Sequence, residues 1–124
     1  MMRILVVEPE RKPEIREIDG TLESMQEIVG GLIQAVYPFD EPVALVANDE
    51  GKLLGLPLNR MLVNMETRKP YDVIAGTFFL CGAPAGEDHF TSLTEEQVQR
   101  YAQVFATPEL FLKVNGRLVV LPCE

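Results

Sequence analysis

The chain has 124 residues, of which 47% are hydrophobic and 24% charged, and its 19 acidic residues against 11 basic ones give a formal net charge of −8. That is the size and composition of one globular domain with its own core, and it excludes disordered and collagen-like classes. Only Arg11-Lys12 and Arg68-Lys69 are adjacent cations, which argues against a binder of nucleic-acid backbone, and no apolar run approaches the roughly 20 residues that span a bilayer.

Residues 3–7, Arg3-Ile4-Leu5-Val6-Val7, are aliphatic and β-branched and end at Glu8-Pro9, the pattern of a strand buried on both faces. Residues 13–18 alternate charged and apolar side chains and predict a second strand with one wet face, paired antiparallel to the first. Asp19 and Thr21 offer N-caps to a short helix carrying Leu22, Met25, Ile28 and Val29, with Gly30-Gly31 as its stop. Residues 32–37 and 43–47 read as strands. The turn Asn48-Asp49-Glu50-Gly51 before Leu53-Leu54 is a hairpin signal.

Pro57 and Asn59 break the apolar run ending at Leu58, and residues 64–70 predict a polar surface loop. Residues 71–81 form the longest strand candidate, with Gly76 marking a bulge or a close backbone approach. Thr94-Glu95-Glu96-Gln97 is a capping box, and Val98, Tyr101, Ala102 and Phe105 recur at helical spacing, predicting a helix over 95–105. Residues 110–114 and 117–121 flank Asn115-Gly116, the dipeptide of a type I′ hairpin. Most connections are of hairpin length. The fold class is therefore α+β, a mainly antiparallel sheet of about five to eight short strands with two helices and a C-terminal β-hairpin.

Catalytic chemistry is sparsely represented. His89 is the one histidine, in the acidic loop Glu87-Asp88-His89, and its chain neighbours include no nucleophile. Adjacent ligands on one loop complete no tetrahedral site, and no CxxC or HxxxH spacing occurs, so neither a metal nor a cofactor is expected. Of the two cysteines, Cys81 continues an apolar stretch and reads as a buried free thiol, and Cys123 reads as a tail thiol. Gly30-Gly31 follows a helix where a phosphate loop would precede one. The candidate ligand residues are Tyr37 and Phe39 in Tyr37-Pro38-Phe39-Asp40, with Asn59 and Arg60 in Leu56-Pro57-Leu58-Asn59-Arg60. An aromatic pair and an amide–guanidinium pair in Pro-fixed turns suit stacking on a ring and binding an anion. Turn chemistry with a surface ion pair is the alternative.

The stretches 3–9, 18–31, 55–60, 72–82 and 90–94 together resemble a small, uncharacterised bacterial family known as a domain of unknown function. The resemblance covers residues 2–106; the hairpin at 110–121 lies outside it, within a single domain spanning 1–124. It implies occurrence in Gram-positive bacteria and alongside mobile genetic elements, and it supplies no reaction and no catalytic residues. The expected function is that of a non-enzymatic cytoplasmic accessory protein of a mobile element or its host, acting by binding a protein partner. The alternative is a protein that binds or sequesters a small molecule or nucleotide through Tyr37, Phe39, Asn59 and Arg60. An acidic DNA mimic fits less well, because −8 over 124 residues lacks dense one-sided charge. The hairpin also offers an edge to another subunit, so self-association is a further expectation.

Overall fold

Segments made almost wholly of apolar residues must be covered on both faces, and in the computed structural model, which describes residues 1–64 and 66–122, three such strands fill the centre of the main sheet. They are β1 (Met2–Val7), β4 (Val43–Asn48) and β7 (Phe78–Gly82). Two further strands flank them, β2 (Glu14–Ile18) and β3 (Ile33–Val36), in the order β2-β1-β7-β4-β3 with every neighbour antiparallel. The alternation of side chains along each strand divides the core in two. Leu5, Val7, Leu45, Phe78 and Leu80 face one layer, and Ile4, Val6, Val46, Phe79 and Cys81 face the other.

The second layer is α1 (Leu22–Val29), which lays Met25 and Val29 on the sheet. Thr21 is its N-cap, accepting from the Ser24 backbone N–H at 3.1 Å, and Gly30 its left-handed C-cap. The opposite layer holds α2 (Glu95–Val104), whose Thr94–Gln97 capping box is complete and whose Val98 and Tyr101 are buried with Phe105. Beside α2 lies a two-stranded sheet, β5 (Leu58–Val63) with β6 (Pro70–Ala75), contributing Leu62 and Ile74 to the same core. A third, separate ribbon is formed by β8 (Glu109–Val114) and β9 (Arg117–Pro122). The described residues thus make nine strands and two helices, an α+β fold of antiparallel sheets with a C-terminal hairpin.

Three local expectations are corrected. The turn at Asn48–Gly51 does not return the chain along β4; Leu53 and Leu54 stay exposed and the next strand, β5, belongs to another sheet. The run from Leu58 is not broken by Asn59, because β5 pairs with β6 across a bulge at that point. Residues 71–81 are two strands, since at Gly76 the chain leaves the small sheet for the main one. Gly76 has φ +83°, and a Cβ there would lie 2.8 Å from Leu56 Cδ1, so the position needs both the left-handed backbone and the missing side chain. Cys81 is a buried free thiol; Cys123 lies outside the described residues. No described helix is long and apolar enough to cross a membrane.

Candidate functional site

The four residues singled out by sequence do not converge. Asn59 and Arg60 are interior, at 0% and 1% exposure. Asn59 Nδ2 donates to the carbonyls of Val7 (2.8 Å) and Gly76 (2.9 Å), tying β5 to the main sheet and to the crossing between sheets. Arg60 spreads its guanidinium over backbone carbonyls and the Asn59 side-chain amide: Nη2 donates to Arg11 O (2.6 Å) and Phe105 O (3.1 Å), Nε to Phe105 O (3.3 Å), and Nη1 to Asn59 Oδ1 (2.8 Å). A planar fork with several donors is suited to a buried carbonyl cluster, and here it joins the end of α2 to the loop after β1. Neither the pocket geometry nor the surface ion pair weighed from the sequence matches that placement.

Tyr37 and Phe39 lie on either side of Pro38, in the connection after β3. Tyr37 is 63% exposed and borders an open cleft of about 530 Å³ with Met25, Glu87, Asp88, His89 and Phe90. His89 Nδ1 lies 3.5 Å from Glu87 and 3.4 Å from Asp88, all three on the surface. Among the described residues no three His, Cys, Asp or Glu side chains converge as metal ligands. Cys81 sits at the sheet centre, where burial pushes its thiol up to about 12, so no thiolate is available there near neutral pH. Phe39 instead packs on Tyr101, ring centroids 4.5 Å apart. Beside it Glu41 accepts from the Tyr101 hydroxyl and from Arg100 Nη1 (2.6 Å), fastening the β3–β4 connection to α2.

The ribbon is the feature that the sequence reading under-used. Its register pairs Leu110 with Leu121, Leu112 with Val119 and Val114 with Arg117 on one face, and Phe111 with Val120 and Lys113 with Leu118 on the other. Leu110, Leu112, Val114, Leu118 and Leu121 are all exposed, so both faces present apolar side chains to water. The signal was legible as Leu118-Val119-Val120-Leu121, an uninterrupted apolar run with no wet face. The ribbon is rooted where Glu109 Oε1 accepts from the Met61 backbone N–H at 2.9 Å. At that root, Phe39, Met61, Val63, Tyr71 and Val104 line a groove of about 250 Å³, which extends the apolar surface onto the body.

An antiparallel α+β domain carrying an exposed apolar ribbon is the class of protein that this fold and surface define. The chain belongs to the family described as a domain of unknown function, DUF3846, whose pattern matches residues 2–106. The ribbon lies beyond the matched residues. None of the curated proteins and none of the solved structures compared with the chain matches it.

Proposed function

We propose that this protein acts by binding another protein, with no chemistry of its own, as a cytoplasmic accessory factor of a bacterial host or of a mobile element within it. The β8–β9 ribbon and the groove at its root are the contact surface. One observation carries the reading: a two-stranded ribbon is marginal in water on its own, yet this one exposes Leu110, Leu112, Val114 and Leu121 on one face and Leu118 on the other. A patch of that kind marks an interaction site more often than an ordinary surface. Adding a strand or laying an apolar face on a partner are the established uses of such an edge.

The test is native mass spectrometry of the protein purified gently from its own host, comparing the natural chain with a Leu112→Lys, Leu118→Lys double variant. The natural chain is expected to carry a stoichiometric protein partner that the variant loses, while the melting temperatures of the two agree within about 2 °C, as for surface changes. A partner that is retained by the variant, or a natural chain carrying only a small-molecule mass, overturns the reading.

A further inference from the structure

The two ends of the main sheet are treated differently by the sequence. At β2, Pro13 immediately precedes the strand and Glu14, Arg16 and Glu17 lie along it, a proline and charges being the usual guard against edge-to-edge pairing. At the other end β3 has no guard: Leu32-Ile33-Gln34-Ala35-Val36-Tyr37 contains no charge and no proline. Asp49 N donates to Leu32 O at 2.8 Å, and the register runs Ile33↔Asn48 to Val36↔Leu45. In an antiparallel ladder the bonded residues alternate, so Leu32, Gln34 and Val36 face β4 while Ile33 and Ala35 turn their N–H and C=O outward. The acidic Asp40, Asp49 and Glu50, all exposed, stand just beyond the two ends of this edge.

The ribbon strand β9 is another edge, paired on one side only, by β8. The type I′ turn at Asn115-Gly116, with φ of 52° and 78°, makes Val114–Arg117 the first bonded pair, so Leu118 and Val120 turn their backbone groups outward with the same two-residue spacing as Ile33 and Ala35. Between Leu110 and Leu121 the ribbon's charges are Lys113 and Arg117, both basic. An uncharged edge with carboxylates at its ends and an apolar strand with two cations at its turn end, Arg117 on β9 and Lys113 opposite Leu118 on β8, are complementary in backbone spacing, apolarity and sign.

We infer that the partner of the ribbon is a second copy of this chain, and that β9 of one copy adds antiparallel to the free edge of β3 of the other, extending the five-stranded sheet. This rests on the reading of the ribbon as a contact surface and goes beyond it by naming the occupant and the receiving strand. Association then buries the leucines of β9 and places Lys113 and Arg117, both at the turn end of the ribbon, near one acidic end of β3.

The experiment is sedimentation of the full chain over a hundredfold concentration range, with two variants. Ala35→Pro removes an outward N–H and leaves the β3–β4 ladder intact, a change that edge strands tolerate; circular dichroism and the melting curve confirm that it folds. Arg117→Glu reverses one ribbon charge. Concentration-dependent association is expected for the natural chain, at least tenfold weaker in Ala35→Pro and in Arg117→Glu, and weaker in 0.5 M than in 0.05 M salt. A chain that stays monomeric throughout, or an association unmoved by Ala35→Pro, overturns the inference. Should the monomeric chain still take a different protein through Leu112 and Leu118, the binding function stands and this choice of partner falls.

Discussion

At the scale of single residues, the most consequential pair is Asn59 and Arg60, because between them they hold four separate backbone segments. Buried carbonyls of Val7 and Gly76 depend on the Asn59 amide, and the buried carbonyl of Phe105, together with that of the exposed Arg11, depends on the Arg60 guanidinium. Removing a donor strands its acceptor away from water, which costs about 1–3 kcal/mol per group. Asn59→Ala and Arg60→Met are therefore each expected to lower the unfolding free energy by about 2–4 kcal/mol, measured by urea titration. Arg60→Lys gives little rescue, since a point ammonium cannot reproduce the fork. A loss under about 0.5 kcal/mol, the range of an ordinary surface site, refutes the clamp. These residues looked like site residues in the sequence because amide and guanidinium groups after a proline are what a ligand-binding turn uses. An arginine is almost never fully buried unless its charge is satisfied, and the carbonyls that satisfy it come from positions far apart in the chain.

At the scale of elements, the fastening of α2 to the β3–β4 connection is pH-dependent. The Tyr101 hydroxyl first, and Arg100 after it, hold the Glu41 carboxyl below the ordinary carboxylate range. A depressed carboxyl contributes stability that is complete above its unfolded value of about 4.3 and is lost as pH falls through the folded value. Burial first, and then Glu41, push the Tyr101 phenol upward; its contribution is present below the unfolded value of about 10 and lost as pH rises beyond it. The contact is strongest between those limits. Melting temperatures of the natural chain and Glu41→Gln are expected to differ by a constant amount from about pH 5 to 9, and to converge below about pH 4; parallel curves down to pH 2.5 refute it. The elements themselves were legible where their signals are local. The Thr94–Gln97 box and Asn115-Gly116 specify an end and a turn by chemistry within four residues, and both stand where the sequence puts them. The division of 71–81 into two strands was not legible, because what splits the run is the departure of the chain for another sheet at Gly76, and sheet partnership is a long-range property.

At the scale of the whole molecule, stability is distributed unevenly, and that distribution is itself a test of what the ribbon does. Opening β1, β4 or β7 exposes core on both faces of the sheet, so their amides exchange only when the molecule unfolds. The ribbon packs on little besides its own two strands and the neighbourhood of Met61, and a segment with few buried contacts opens at far lower free energy. In dilute protein the amides of β8 and β9 are expected to exchange at least about a hundredfold faster than those of β7, a difference near 3 kcal/mol. Mass action makes the second half of the prediction. If β9 adds to β3 of another copy, raising the concentration must slow exchange at Leu118, Val120, Ile33 and Ala35 together, because both strands gain hydrogen bonds in one event. The β2 edge, guarded by Glu14, Arg16 and Glu17, must stay unchanged. Hydrogen exchange at two concentrations reads all three strands at once, and protection that appears on the ribbon without appearing on β3 places the second copy somewhere other than the open edge.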